Sequence, residues 1–205
     1  KKVLKSFSKN NKNKEIKIIK LDFSKIKTGN ASVSLKKKFN FKYDIVINLI
    51  GYVDNKGFEN SSLESMVTSI KINALIPLII FRGAIKYMVK KNWGRIINCS
   101  SIGVKFGGGK NSFNYSFSKH CSEFLPNVYK DYIKKNILIN NLRIGLTKTK
   151  LLKKMKKQNK LKKRVKLIPM KRLAEPNEIS DFIINLIDEK NSYMGNQTIS
   201  ISGGE

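Results

Sequence analysis

Three tyrosines of this chain are each followed four residues later by a lysine. On a helix this spacing puts both side chains on one face, where the ammonium can lower the pKa of the phenol by its charge. A phenol tuned in this way can give and take a proton near neutral pH. Lysine is so abundant here that the spacing alone is a weak signal, and context must separate the three pairs: Tyr52/Lys56, Tyr87/Lys91 and Tyr115/Lys119.

Only the Tyr115/Lys119 pair has hydroxyl groups beside it. It follows a strand-like run that ends in Ser100 and Ser101, and then a glycine-rich loop at 103–109. In an open parallel sheet, ligands bind outside the carboxyl ends of the strands, so serines at such an end would face the cleft. The alternative is that both serines only terminate a strand.

Strand and helix patterns alternate along the chain and must position this pair. Ile/Val-rich runs predict strands, and segments with apolar residues every three to four positions predict helices. The alternation predicts one domain over residues 1–205, an α/β fold with three layers and a doubly wound parallel sheet. The expected strands are 15–21, 44–50, 94–101, 137–144 and 197–202; the expected helices are 62–91, 113–135 and 176–189, with kinks or breaks at Pro77 and Pro126.

The charge balance restricts the class of partner. Lys+Arg number 42 against 14 Asp+Glu, a net charge of +28 that would suit nucleic acid or another anion. Nearly all of it is Lys, with Asn and Ile abundant beside it, so a coding bias explains the composition as well. A nucleic-acid interface should also cluster Arg or aromatic residues, and the Lys-rich segment 146–171 has one Arg and no aromatic residue. We therefore expect no nucleic-acid partner.

The cysteines and the apolar stretches bear on location. Cys99 and Cys121 lie in apolar runs, which suits small buried residues better than a disulfide. The longest apolar stretch, residues 72–84, is expected to be too short and too interrupted to cross a bilayer, and no signal segment opens the sequence. We expect a soluble cytoplasmic protein without membrane association.

Several segments resemble motifs of the short-chain dehydrogenase/reductase family, in particular members similar to 3-oxoacyl-[acyl-carrier-protein] reductases. Each piece is a weak signal, but the ordered set is specific and covers residues from about 20 to the end. The pieces are Leu21-Asp22-Phe23-Ser24, Asn48-Leu49-Ile50-Gly51, Asn73, Gly94–Ser101 with Asn114-Tyr115-Ser116-Phe117-Ser118-Lys119, Arg143-Ile144-Gly145-Leu146-Thr147-Lys148-Thr149, and the ending from Met170 to Ser202-Gly203-Gly204.

The resemblance implies a Rossmann-type fold and an oxidoreductase that transfers a hydride between NAD or NADP and a carbonyl or secondary alcohol. Tyr115 would exchange the proton with the substrate oxygen, and Ser101 would donate a hydrogen bond to it. Lys119 would stabilise the tyrosinate and hold the nicotinamide ribose, and Asn73 would bend its helix and hold a water that relays protons. Cofactor contacts are expected from Asp22, Asn48, Gly51, Tyr115, Lys119 and Thr149, and no metal is expected.

Departures from the family pattern leave alternatives open. The family's glycine-rich turn that cradles the pyrophosphate is absent, so we expect the first βαβ arm to be missing ahead of Lys1 because the sequence is incomplete. A catalytically inactive relative acting as an oligomer partner or scaffold is the alternative. Ile50 replaces a usual Ala and would crowd the cofactor, and Ile144 replaces a usual Pro. The loop before Tyr115 is one residue longer than usual, so Ser101 is preferred but Ser100 stays open.

The resemblance also implies a class of substrate and an oligomeric state. Segment 146–171 lies where the family places its substrate-covering flap, and its lysines suggest an anionic small molecule, such as an acyl-carrier thioester or a nucleotide-linked sugar. A homodimer or homotetramer is expected from the family. The choice between NAD and NADP stays open because the residues that make it lie in the absent segment.

Overall fold

Four parallel strands form one sheet at the centre of the computed structural model, which describes residues 17–149 and 158–205. The spatial order follows the chain: β1 (Ile45–Asn48), β2 (Gly94–Ser101), β3 (Ile137–Ile144) and β4 (Thr198–Ile201). Seven of the eight residues of β2 are buried, as expected when helices cover both faces of a parallel sheet. The predicted Rossmann-type α/β architecture is confirmed.

Helices pack on both faces of this sheet and complete the three layers. The helices are α1 (Ala31–Lys36), α2 (Leu63–Ile70), α3 (Ile76–Lys91), α4 (Phe113–Ser122), α5 (Tyr129–Ile133), α6 (Gln158–Leu167) and α7 (Pro176–Ile187). On one face, Phe81 and Ile85 of α3 and Tyr129 of α5 form a core with Ile96 of β2. On the other face, Ile179 and Ile183 of α7 pack against Ile97 and Leu142.

The sequence patterns located most elements within a few residues. The expected break at Pro126 is confirmed, because α4 ends at Ser122 and α5 begins at Tyr129. The strand expected at 15–21 is wrong over its described part: residues 17–21 form no regular element, and Ile18 is 58% exposed. An Ile-rich run becomes a strand only when a neighbouring strand pairs with it. The middle of the Lys-rich flap, 150–157, lies outside the described residues.

Helices α2 and α3 are joined into one helical stretch, Leu63–Lys91, by a π-helical turn at Lys71–Leu75. Among the described residues, this 29-residue stretch is the one helix long and apolar enough to cross a membrane, and half of its most apolar window is buried inside the domain. The expectation of a stretch too short and interrupted is therefore wrong. Pro77 lies in the first turn of α3, where its missing N–H is tolerated, so the stretch continues past it.

Candidate active site

Lys119 is held at the carboxyl end of β2. Its ammonium donates to the carbonyl of Cys99, near the end of β2, and to the carbonyl of Ile50, just after β1, both at 2.7 Å. Ile50 is fixed in turn, because its N–H donates to the Asn48 side chain at 3.1 Å. Although Lys119 is only 2% exposed, these partners are dipoles and not a carboxylate. The ammonium is thus aimed at the edge where two strands end.

Burial lowers the pKa of Lys119 to about 8, while the Cys99 thiol and the Glu123 carboxylate act weakly in the opposite direction. Burial disfavours a charged ammonium because water solvates it better than two carbonyls do. Part of the lysine population therefore changes protonation near neutral pH, which is the range where a proton relay operates.

Replacing Lys119 with Met will make the stability difference between wild type and variant depend on pH. Between pH 8 and the ordinary lysine pKa of 10.5, the unfolded chain binds more protons at this site than the folded chain. The free energy of unfolding of the wild type, relative to Lys119→Met, should therefore rise with pH by about 3 kcal/mol across that interval. Urea unfolding at a series of pH values measures it. The exposed Lys86→Met should show no such trend, and a flat difference for Lys119→Met would contradict the buried ammonium.

Tyr115 lies one helical turn before Lys119 and close to the Ser101 hydroxyl. Burial raises the pKa of Tyr115, and the nearby Ser101 hydroxyl partly opposes that rise. The direction is opposite to the one expected from the Tyr–Lys spacing. The physical reason is that burial, which disfavours the charged tyrosinate, is the largest influence at the phenol.

The structure brings Ser101, and not Ser100, to Tyr115. The Ser101 side chain also accepts from the N–H of Gly103 at 3.1 Å, which starts the 3₁₀ turn Ile102–Val104. Ser100 is 5% exposed, and its hydroxyl has no hydrogen-bond partner among the described residues. Neighbouring residues of a strand point to opposite faces, so only one of two adjacent serines can face Tyr115.

Asn73 lies in the π-helical turn and is fully buried. Its side-chain amide donates to the Tyr52 carbonyl at 2.9 Å and to the Ser118 hydroxyl at 2.8 Å, and its oxygen accepts from the Tyr52 N–H at 2.7 Å. The side chain therefore ties the loop after β1 to α4. The backbone carbonyl of Asn73 has no α-helical donor, because residue 77 is a proline; the N–H five residues on, which a π-helical turn uses, belongs to Leu78.

A row of buried asparagines crosses the sheet, which the sequence patterns did not predict. Asn98 accepts from Asn48 at 2.8 Å and donates to Asn141 at 2.9 Å, and Asn141 donates to Thr198 at 3.1 Å. Asn98 and Asn141 also donate to the carbonyls of Ser122, the last residue of α4, and of Glu123, its C-cap, at 2.8 and 2.7 Å. The row fastens the helix of Tyr115 to the sheet. The available signal was asparagine in three apolar strands: Asn48 at the end of β1, Asn98 in β2, and Asn140 with Asn141 in β3.

Comparison with known proteins assigns the family. A family model described as Enoyl-(Acyl carrier protein) reductase matches residues 1–205, the whole chain. A 3-oxoacyl-[acyl-carrier-protein] reductase FabG of Buchnera aphidicola subsp. Schizaphis graminum is 34% identical over 158 residues, which is 77% of this chain and 61% of the relative. The chain belongs to the short-chain dehydrogenase/reductase family.

Other relatives agree with this membership. The 3-oxoacyl-[acyl-carrier-protein] reductase FabG of Aquifex aeolicus is 29% identical over 162 residues, which is 78% of this chain and 64% of the relative. The chain thus spans less than two thirds of the length of these two curated relatives. Among solved structures, YwfH, an NADPH dependent reductase involved in bacilysin biosynthesis, superposes with a TM-score of 0.84 at 23% identity, covering 99% of this chain and 82% of that chain. At that identity the likeness shows the fold alone.

The residues expected to contact the cofactor of a short-chain dehydrogenase/reductase lie in different settings. A side chain added at Gly51 would meet nothing within 4 Å, so the backbone there is open to a ligand. The Asn48 side chain is 5% exposed and is engaged inside the sheet, which leaves its backbone for such a contact. Asp22 is exposed and accepts from the Ser24 N–H and hydroxyl at 3.0 and 2.7 Å, bonds that lower its pKa. Thr149 is exposed beyond β3.

Proposed function

We propose that the protein is an NAD- or NADP-dependent oxidoreductase that interconverts a carbonyl and a secondary alcohol, with 3-oxoacyl thioesters as the substrate class. One observation carries the proposal: Tyr115 and Ser101 lie close together at the sheet edge that also holds the buried Lys119 ammonium. The proton donor (Tyr115), a second hydroxyl (Ser101) and a cation (Lys119) therefore lie at the same edge of the sheet. The Buchnera and Aquifex relatives are 3-oxoacyl-[acyl-carrier-protein] reductases, which supports the thioester as substrate.

In the proposed reduction, Tyr115 gives its phenolic proton to the carbonyl oxygen of the substrate. Burial raises the pKa of Tyr115, so the phenol is protonated at neutral pH and ready to donate. The Ser101 hydroxyl donates to the same oxygen as negative charge develops there. Lys119 is fixed by two carbonyls before any substrate binds, so its charge is available without reorganisation. Oxidation would run these proton transfers backwards.

The proton that Tyr115 loses must be replaced. Lys119, with a pKa of about 8, is able to pass one on near neutral pH. We assign the relay water to the backbone carbonyl of Asn73 and not to its amide, because the amide is occupied by Tyr52 and Ser118. The absence of an N–H at Pro77 supports this assignment.

The described residues fit the nicotinamide half of the cofactor. The open backbone at Gly51 lies beside Ile50, whose carbonyl binds Lys119, so a ribose could meet both Tyr115 and Lys119 there. A bound nicotinamide supplies the hydride acceptor or donor of the reaction. We propose Asp22, Asn48 and Thr149 as further contacts of NAD or NADP.

The substrate charge, the assembly and the location complete the proposal. Lysines 162, 163 and 166 are exposed on α6, within the described part of the Lys-rich flap, and they support an anionic substrate. We propose a homodimer or homotetramer by analogy with the family. Both cysteines are free thiols, which supports a reducing cytoplasm.

The proposed function is tested with the protein expressed from its complete reading frame. Titration with the protein should change the fluorescence of NADH or NADPH, and the preferred one should be consumed when a 3-oxoacyl thioester is added. The rate of nucleotide consumption with a panel of thioesters, nucleotide-linked sugars and neutral ketones identifies the substrate class. Failure to bind either nucleotide would contradict the proposal that the protein is an oxidoreductase. If only neutral ketones were reduced, the oxidoreductase proposal would stand and the proposal of an anionic substrate would be wrong.

A further inference from the structure

The first turn of α4, which carries Tyr115, lacks the usual helix cap. The hydroxyl of Ser112, at the capping position, makes no capping bond and instead accepts from the Gly109 N–H at 2.8 Å. Uncapped N–H groups let a helix fray from its first residue. A proton donor three residues from that end needs another anchor.

That anchor comes from the loop between β1 and α2. The N–H of Phe113 donates to the Lys56 carbonyl at 3.2 Å, and the amide of Asn114 donates to the Asp54 carboxylate at 2.5 Å. Asn114 also donates to the Ser65 hydroxyl of α2 at 3.1 Å. Asn114 is fully buried and directly precedes Tyr115. A hydrogen bond to a charged carboxylate is stronger than one to a neutral acceptor, so this bond anchors the residue next to Tyr115 firmly.

The loop that bears Asp54 is itself fixed from the other side of the site. Asn73 holds both the N–H and the carbonyl of Tyr52, two residues before Asp54. Asn73 also donates to Ser118, whose hydroxyl donates to the carbonyl of Tyr115 at 2.9 Å. Two sets of contacts therefore lead from Asn73 to Tyr115. One passes through Ser118, and the other passes through the loop that bears Asp54.

We propose that Asp54 is a positioning residue that acts through Asn114 to set the location of the Tyr115 hydroxyl. The inference rests on the proposed function for its kinetic consequences, whereas the anchoring of α4 is independent of it. Asp54 touches neither substrate nor cofactor in this proposal. Its loss should lower the rate of the chemical step and leave ligand binding unchanged, because a displaced general acid costs turnover more than affinity.

The kinetic test compares Asp54→Ala, Asp54→Asn and the exposed control Asp131→Ala of α5. Asp54→Ala should lower kcat about tenfold with KM and the NAD(P)H dissociation constant within about twofold of wild type. Asp54→Asn keeps an acceptor oxygen and should recover most of kcat. Equal losses in kcat and in cofactor affinity would indicate general damage and overturn the inference.

A swapped pair sharpens the test. Asn114→Asp places two carboxylates against each other and should lower kcat at least about tenfold. Adding Asp54→Asn restores one donor and one acceptor, so the double variant should return to within about threefold of wild type. A double variant no better than Asn114→Asp would overturn the proposal.

A readout without turnover separates this inference from the proposed function. In Asp54→Ala, amide hydrogen exchange should accelerate in residues 113–116 and stay unchanged at the end of α4, which Asn98 and Asn141 hold. If the wild type binds no nucleotide and reduces nothing, the proposed function fails while the exchange data still decide the anchor. If the wild type is active and Asp54→Ala matches Asp131→Ala in kcat and exchange, the inference alone fails.

Discussion

Replacing Tyr115 with Phe will lower kcat at least about a thousandfold while leaving the dissociation constant for NAD(P)H within about twofold. The substitution removes only the hydroxyl, and the ring that fills this half-buried position stays. Ser101 still donates to the substrate oxygen, but no group remains to deliver a proton to it. Steady-state kinetics with the best 3-oxoacyl thioester measure the loss, and fluorescence titration measures cofactor binding.

The chain supplies a matched control in another Tyr–Lys pair. Tyr87 and Lys91 have the same spacing on α3, with the Lys91 ammonium 5.4 Å from the Tyr87 ring centre. Lys91 also pairs with Asp44 at 2.6 Å, on the surface. Tyr87→Phe should therefore leave kcat unchanged. Comparable losses in both variants, or a Tyr115→Phe enzyme with wild-type turnover, would remove Tyr115 from the proposed chemistry.

The sequence patterns correctly predicted those features that depend on the spacing of nearby residues. The Tyr115/Lys119 pair, the serine at the end of β2 and the alternation of strands and helices all come from residues within a few positions of each other. The strand expected at 15–21 failed over its described part because pairing is not local, and no described strand pairs with residues 17–21. The direction of the Tyr115 pKa also failed, because spacing shows which charges are near but not how deeply a phenol is buried.

Local sequence patterns could not predict the contacts that hold the site, because these contacts join residues far apart in sequence. Asp54 meets Asn114 across 60 positions, and Asn73 meets Tyr52 across 21. Which residues meet across the sheet depends on the strand register, which pairs Asn48 with Asn98 and Asn98 with Asn141. A polar residue in an apolar strand could be predicted to need a partner, but its partner could not be named before the register was known.

The middle of this asparagine row is where a single substitution should cost the most stability. Asn98→Ala will lower the free energy of unfolding by about 3 kcal/mol. Asn98 makes three side-chain hydrogen bonds in a site where it is 1% exposed, with Asn48, Asn141 and the Ser122 carbonyl. Its removal leaves these three groups buried without that partner, and each such group costs far more than an exposed one. Urea unfolding followed by circular dichroism measures the change.

The same substitution should reach the site through α4, because Asn98 holds the carbonyl at the end of the helix that carries Lys119. Hydrogen exchange in Asn98→Ala should accelerate at the end of α4, whereas Asp54→Ala should loosen its beginning. The exposed Asn177, in the first turn of α7, provides the control, and Asn177→Ala should change the free energy of unfolding by less than about 0.5 kcal/mol. If Asn98→Ala unfolds at the same urea concentration as Asn177→Ala, the asparagine row does not hold α4 to the sheet. The position of Tyr115 would then depend on the Asn73 and Asp54 contacts alone.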